Sequence, residues 1–378
     1  MNNRSAIILV LVVLSLTTLG FVMLYSSSSP TKKQSGDPYF YVKRQAVWLV
    51  VGMVGCIAAA RTDYHKLDKY KWWIFGAGVV LLGLCFVPGI GVSINGSRRW
   101  LRILGFTVQP SEFAKLSIVV FLAYWLHRNQ LKMANWKIGM LYPLAIISVP
   151  LILILMERDL GATALIGAVA LCLLFIGGSS PRSLMPVAVA GFGGLLTLAI
   201  LMPNRLKRLF AFLDPEGHKS DAGYQVWQGL IAIGSGGLEG LGLGNSRQKW
   251  SYLPEPHTDF IFPVIGEELG LRVTLIIVVA YIVLLMCGTM ITICSRDRFG
   301  MILGAGIVLL ISLQAMINIG VVTAMLPNKG MPLPFISYGG SNMVMNFIGI
   351  GILMNIFRQG IYVTTHDPFS VADFTPKI

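Results

Sequence analysis

Charge is what this sequence has least of. Asp, Glu, Lys and Arg make up 12% of its 378 residues, about half the share of an ordinary soluble domain. That deficit excludes a water-soluble globular fold. Acidic residues are the scarcer sign, 17 against 30 Lys and Arg, for a formal net charge of +13. Cysteine is sparse too. Cys56, Cys85, Cys172, Cys287 and Cys294 fall in or beside apolar runs, with no CxxC pair and no His/Cys cluster. They give no basis for a disulfide framework or a zinc site and read as small buried hydrophobes. A Walker-type phosphate loop, a GxSxG elbow, an HExxH pair and a Rossmann glycine fingerprint are all missing, so nucleotide, flavin and hydrolase-triad chemistry lack support. Nothing points to a nucleic acid. The first apolar run, residues 6–24, outlasts a signal-peptide core, and no A-x-A site follows it. It reads as an uncleaved first span.

What is present is apolar length. Hydrophobic residues make up 55% of the chain, and the mean hydropathy is +0.71. The 41 glycines and 18 prolines suit membrane helices, whose neighbours re-satisfy freed backbone groups. The expected fold is an all-α integral membrane protein, one polytopic domain over residues 1–378, with about ten spans of roughly 20 residues. The runs are 6–24, 46–60, 72–87, 110–126, 138–155, 161–176, 184–202, a stretch within 260–294, 301–325 and 342–357. An even number puts both termini on one side. Lys and Arg favour neither side until the long segment 203–259 is set aside, as the positive-inside rule allows for long loops. The remainder places both termini in the cytoplasm. The outer face is then unusually basic, which points to an anionic ligand such as a phosphate-bearing lipid or polymer, or to contact with anionic headgroups.

Residues 203–259 break the rhythm as one large outer loop between spans seven and eight. Loops of that length are uncommon and usually functional. It holds GYQVWQ (223–228), the glycine-rich GSGGLEGLGLGNS (234–246) and YLPEPHTDF (252–260). The apolar stretch 260–294 would run about 50 Å as a helix, beyond a bilayer core of about 30 Å. A break at Gly266 or Gly270 is expected.

An ionisable group inside a membrane costs roughly 2.5–3.5 kcal/mol on insertion scales, so each needs a reason. Glu112 and Lys115 share one helix face at i, i+3. They are either a local ion pair, with Ser111 as helix cap, or part of a polar pocket open to the outer side. Glu157, Arg158 and Asp159 occupy a short outer turn, where Asp159 caps the next helix or lines the same cavity. Asp259 ends the long loop just before an apolar helix, near Glu255, His257, Thr258, Glu267 and Glu268. It is an N-cap or a partly desolvated base. In LPNKGMPLPFISYGGSN (326–342), Pro332 and Pro334 forbid a regular helix. Ser337, Tyr338 and the Gly339 and Gly340 amides could there line a polar cavity or bind phosphate oxygens.

Taken together, the stretches YVKRQ (41–45), NGSRRWL (95–101), QPSEFAKL (109–116), DLGATAL (159–165), AGYQVWQ (222–228), the run 242–270 and the run 318–341 resemble the SEDS family (shape, elongation, division and sporulation), the FtsW, RodA and SpoVE proteins. YSSS (25–28), HTDFIF continuing into PVIGEELG, and KGMPLPFISYGG favour its FtsW, cell-division branch over the elongation and sporulation members. Arg158 stands where the family often has Pro, Ala324 where Gly is common and Asn342 where Ser is common. None of these departures removes an ionisable group.

The resemblance implies a peptidoglycan glycosyltransferase in the bacterial inner membrane, at the division septum. Such an enzyme polymerises lipid II by an inverting attack that expels polyprenyl diphosphate from the growing glycan. By the same resemblance Asp259 is the general base. Glu112, Lys115 and Asp159 shape the cavity, Arg98, Arg99 and Arg102 hold diphosphate, and Ser337 lines the substrate site. A divalent cation, Mg2+ or Mn2+, could assist the leaving diphosphate. The implied partners are a class B penicillin-binding protein, other divisome proteins and membrane lipids. A lipid II flippase and a non-catalytic division scaffold are the competing readings.

Overall fold

The computed structural model describes residues 3–28, 39–94, 97–103, 105–214, 216–218, 223–249, 253–254 and 256–366. Asn95, Gly96, Tyr252 and Glu255 lie outside them. Apolar helices dominate, because in hydrocarbon a helix satisfies its own backbone. Among the described residues, seven are long and apolar enough to cross a membrane: Arg4–Ser27, Phe40–Arg61, Lys137–Met156, Pro181–Leu201, Ile261–Ile293, Arg298–Val322 and Gly340–Gly360. Lys71–Leu84 and Leu160–Ile176 are shorter apolar helices. Pro110–Arg128 carries Glu112 and Lys115. The chain is a multi-pass helical membrane protein. Helix Arg298–Val322 lies at its centre, packed on Pro110–Arg128, Leu160–Ile176, Ile261–Ile293 and the C-terminal helix Gly340–His366.

Two features depart from the sequence-based expectation. The fold is not purely helical. Strands β1 (Gly91–Ile94), β2 (Ser97–Ile103) and β3 (Phe106–Val108) form a three-stranded antiparallel sheet in the order β1-β2-β3. Val92 and Ile94, then Trp100 and Ile103, supply the β-branched and aromatic residues that suit a pleated surface. The pairing slips between Val92↔Trp100 and Ser93↔Arg98. Arg99 is left as the extra residue of a bulge, a device that re-aims a side chain.

The segment 203–259 is also not a plain loop. It contains helices α9 (Pro203–Leu213) and α10 (Tyr224–Gly236), numbered after the seven α-helices already given that precede them and the short helix His65–Lys69. Arg205, Lys207 and Arg208 interleave with Leu206, Phe210 and Leu213 on α9, so an amphipathic helix had the composition of a loop. Helices α11 (Ile261–Ile293), α12 (Arg298–Val322) and α13 (Gly340–His366) follow.

Helix α11 is two rods. Gly270 takes φ 75° and ψ −179°, a region open essentially to glycine, so the break falls there and not at Gly266. The carbonyls of Glu267 and Glu268, freed by the break, accept the amides of Leu241 and Gly242 at 2.9 Å each, and Leu271 N–H donates to Gly237. The glycine-rich run 236–246 is thus laid against the break.

A second left-handed residue closes α12. Ala324 has φ 56°, and the Met325 and Ala324 amides donate back to Gly320 and Val321, a helix end that favours glycine.

Two substitutions test these backbone sites by thermal unfolding of the purified protein. A Cβ at Gly270 would lie 2.5 Å from the Gly240 nitrogen and 2.6 Å from the Leu238 oxygen. Gly270→Ala should therefore lower stability by more than the roughly 1–3 kcal/mol of a strained backbone alone. Ala324→Gly should raise it by roughly 0.5–1 kcal/mol, since alanine is strained at positive φ. An unchanged midpoint in either case would remove the strain argument at that position.

Candidate active site

Asp259 stands one residue before the N-cap of α11, which is Phe260 and makes no side-chain cap. Its carboxylate is therefore not used to start the helix. Oδ1 accepts from the Thr258 hydroxyl at 2.8 Å. The main-chain carbonyl of Asp259 accepts from Asn318 Nδ2 at 2.8 Å. That same amide donates to the Met331 carbonyl at 2.6 Å, so one side chain of α12 ties the carboxylate-bearing segment to the irregular loop 326–339. The loop passes directly over the acid: a Cβ at Gly330 would fall 2.7 Å from Asp259 Oδ2. Burial raises the Asp259 pKa, while Thr258 and the Arg208 charge oppose the rise. Two residues earlier, the His257 ring lies 4.1 Å from Tyr41 and 5.8 Å from Tyr338, centroid to centroid. Burial lowers its pKa to about 4, so it is neutral beside the acid at physiological pH.

The loop 326–339 cannot be helical because of its prolines, and its carbonyls are taken by side chains. Gln314 donates to Pro332, Tyr281 to Pro334 and Gln45 to Ser337. Ser337 Oγ accepts the Leu333 amide at 2.8 Å, so this hydroxyl staples the loop internally.

Glu112 and Lys115, both nearly inaccessible, are paired at 2.8 Å. Glu112 also accepts from Asn342 Nδ2, and Lys115 donates to Gln314 Oε1, each at 2.8 Å. A chain of bonds thus runs from Asn342 through Glu112, Lys115 and Gln314 to the loop, and through Asn318 to Asp259. The pair lines a cavity with Gln314, Asn346, Ile311 and Met345. Ser111 is not the cap of its helix. Gln109 holds that place with no side-chain capping bond, its Nε2 donating to Ser111 Oγ at 3.0 Å, and Pro110 opens the first turn.

A second group gathers at the turn 157–159. Arg158, at φ 64°, closes helix Tyr142–Met156 with a Schellman pattern, Arg158 N–H to Leu155 and Asp159 N–H to Ile154. Its carbonyl receives Arg99 Nη2 at 2.7 Å and Arg205 Nη2 at 2.8 Å. Arg99 also donates to the Glu157 carbonyl and stands 3.6 Å from Asp159. Asp159 caps the next helix through the Ala162 amide at 3.0 Å. Lys329, from the loop over Asp259, feels the same cluster. Burial first, then Arg205, Arg208 and Arg99, lower its pKa to about 8 against the pull of Asp159. Arg99, Arg205, Arg208 and Lys329 therefore form a group of like charges around one acid, and Arg208 is the member whose field reaches Asp259. Like charges packed in this way call for an anion.

Of the three arginines picked from the sequence, only the bulged Arg99 joins this group. Arg98 and Arg102 are exposed on the sheet. Arg205, Arg208, Lys329, Gln314, Asn318 and Asn342 went unrecognised. The signal for the neutral ones was polar residues inside apolar runs, including Gln314 and Asn318 at i, i+4. Burial also pushes Glu157, at the same turn, up to about 8.

Residues 6–361 match the model of the cell cycle protein family that groups FtsW, RodA and SpoVE. The chain belongs to this family. The FtsW protein of Geobacter metallireducens, named a probable peptidoglycan glycosyltransferase, is 38% identical over 94% of this chain and 95% of its own length. A solved chain from a peptidoglycan synthase complex that coordinates polymerization and crosslinking superposes with a TM-score of 0.77 at 26% identity, covering 93% of this chain and 97% of that one. RodA of Thermus thermophilus superposes with a TM-score of 0.69 at 26% identity, over 93% and 96%. The motifs that suggested the SEDS family therefore identified it correctly.

The cation group makes a pH prediction. Lys329 carries its charge below about pH 8 and loses it above. Affinity for a dialkyl diphosphate, whose own charge is constant in this range, should fall on the order of tenfold between pH 7 and pH 9, as one charge-assisted bond is lost. Lys329→Arg should flatten that decline. Titration calorimetry of both proteins across the range checks it, and a flat wild-type profile would exclude Lys329 from the anion site.

Proposed function

We propose that this protein is a peptidoglycan glycosyltransferase that polymerises lipid II at the outer face of the cytoplasmic membrane during cell division. The observation that carries the reading is the buried Asp259 carboxylate under Gly330, its pKa raised by desolvation, with Arg208 of the cation group acting on it. A base with an elevated pKa and a cradle for a diphosphate leaving group are the two parts glycosyl transfer needs.

In this mechanism the acceptor is the 4-hydroxyl of a lipid II GlcNAc. Asp259 takes its proton as the oxygen attacks the anomeric carbon of the growing glycan. The bond from that carbon to the diphosphate oxygen breaks, the electron pair leaves with polyprenyl diphosphate, and configuration inverts. Arg99, Arg205, Arg208 and Lys329 hold the diphosphate by charge-assisted bonds and stabilise the charge that develops on it. Asp159 keeps Arg99 in place. Glu112 and Lys115 form the cavity wall toward the bilayer, Arg98 and Arg102 extend positive charge along the rim, and Ser337 fixes the loop above the base. No group of three or more His, Cys, Asp or Glu able to hold a metal occurs among the described residues. Mg2+ or Mn2+ would enter as the diphosphate's counter-ion, and no step is routed through it.

Ten spans, both termini in the cytoplasm and segment 203–259 outside complete the topology. It is supported by the seven helices long and apolar enough to span among the described residues, by the shorter apolar helices Lys71–Leu84 and Leu160–Ile176, by helix Pro110–Arg128, and by the Lys and Arg of the short loops. Division-site location and pairing with a class B penicillin-binding protein and other divisome proteins rest on likeness to the FtsW-named relative and to the solved synthase complex.

The test is strand formation from labelled lipid II by purified protein with its transpeptidase partner, wild type against Asp259→Asn, at matched folding and partner binding. Strands from wild type and a loss of at least about a hundredfold in the variant are expected, the scale of removing a general base. Strands from both would move the base elsewhere. Strands from neither would favour a flippase or a scaffold.

A further inference from the structure

We propose that Lys249, Glu267 and Glu268 are positioning residues that fix Asp259 in place by pinning the outer rod of α11. This rests on the reading of Asp259 as the base.

The break at Gly270 makes residues 261–269 a rod of their own, about 14 Å long at 1.5 Å per residue, with Asp259 just past its N-terminal end. A tilt of about 5° around the break would move the base by about 1 Å, and displacements of that size can cost on the order of a hundredfold in rate. The continuous helix that would normally prevent such a tilt is interrupted, so something else must hold the rod.

Two carboxylates on the rod's last turn do so. Glu267 Oε1 accepts the Arg247 amide at 2.9 Å, and its Oε2 accepts the Gln248 amide at 3.4 Å and the Ser246 hydroxyl. Glu268 Oε1 meets Lys249 Nζ at 2.9 Å. Both Glu268 oxygens accept from the Ser26 hydroxyl, at 2.8 and 2.6 Å, from the far end of the first helix. Lys249 Nζ also donates to the Gly244 carbonyl at 2.7 Å. Glu267, Glu268 and Lys249 are 1%, 0% and 4% exposed. They have no opening to a substrate, and the transfer mechanism does not use them.

Directional bonds suit this task better than apolar packing, which tolerates sliding. The same clamp steadies the chain leading into the base. Leu253 N–H donates to the Gln248 carbonyl at 2.9 Å, and the segment then runs to Asp259. The rod and its approach are thus held at one point, which also reaches the first helix.

The experiment uses the full chain with its transpeptidase partner and labelled lipid II. Lys249→Met with Glu268→Gln removes both charges of the ion pair together and leaves Glu267 on its amide and hydroxyl donors. Ser26→Ala removes one neutral hydroxyl and keeps the pair. In the double variant kcat should fall about 10- to 100-fold with KM within about twofold. The acid limb of the kcat profile should move to lower pH, because a loosened Asp259 gains water and its raised pKa relaxes. The groups that otherwise act on that pKa, the Thr258 hydroxyl and the Arg208 charge on α9, are unaltered, as are His257 on the same segment and Lys329 on the overlying loop. Ser26→Ala should show the same limb shift with a smaller loss in kcat. A folded double variant with wild-type kcat and an unmoved limb overturns the proposal. If the double variant does not fold, Ser26→Ala decides by the same two readouts. Asp259→Asn is assayed in parallel. Strands from that variant would refute the base reading itself, whereas an inactive Asp259→Asn beside unaltered clamp variants would refute only the clamp.

Discussion

Away from water, every carbonyl and amide released from a helix must find a partner inside the protein, and the site is arranged around that demand. Two pieces of backbone leave regular helix close to the carboxylate: the break at Gly270 and the proline-bearing loop 326–339. The first is satisfied by the glycine-rich segment and the second by Gln314, Asn318, Tyr281 and Gln45. Asn318 joins the loop to the Asp259 segment. The polar side chains of the central helix are thus what allow irregular backbone, and with it a buried acid, to exist there.

Charge is distributed by the same logic. Deep in the bundle it is paired: Glu112 meets Lys115, and each is bonded to a neutral amide. At the turn 157–159 it is deliberately unequal. Arg99, Arg205 and Lys329 act on Asp159, Arg208 acts on Arg205 and Lys329, and their repulsion adds to burial in depressing the pKa of Lys329. A balanced cluster would be more comfortable without a ligand. An unbalanced one is relieved when an anion arrives, which in the proposed reaction is the diphosphate.

Much of this was legible in the sequence. The apolar runs located the helices, and the excess length of 260–294 required a break that the structure puts at Gly270. The prolines foretold the irregular loop, and Asp159 had the look of the cap it is. Other features were concealed by their composition. A short sheet between two spans has too few residues to show alternation, and nothing in a run of Arg98, Arg99 and Arg102 marks which one a bulge will turn inward. Helix α9 is amphipathic and basic, so a hydropathy reading takes it for loop. A search for ionisable groups passes over Gln314, Asn318 and Asn342, although a buried amide is as demanding of partners as a charge is. Ser111 was the conventional choice of cap, but with a proline at the first position Gln109 serves without a side-chain capping bond.

The interruption at Gly270 also separates two mechanical environments. Residues 271–293 sit among lipids, whose thickness and lateral pressure vary with temperature and acyl composition. A continuous helix would carry each flexure of that length outward to its tip. Here the helix is interrupted at a residue whose flanking backbone is bonded to the glycine-rich segment, and the outer rod takes its bearing from that segment instead. The position of Asp259 is thereby set by protein contacts beyond the break and not by the apolar length of α11 that follows it.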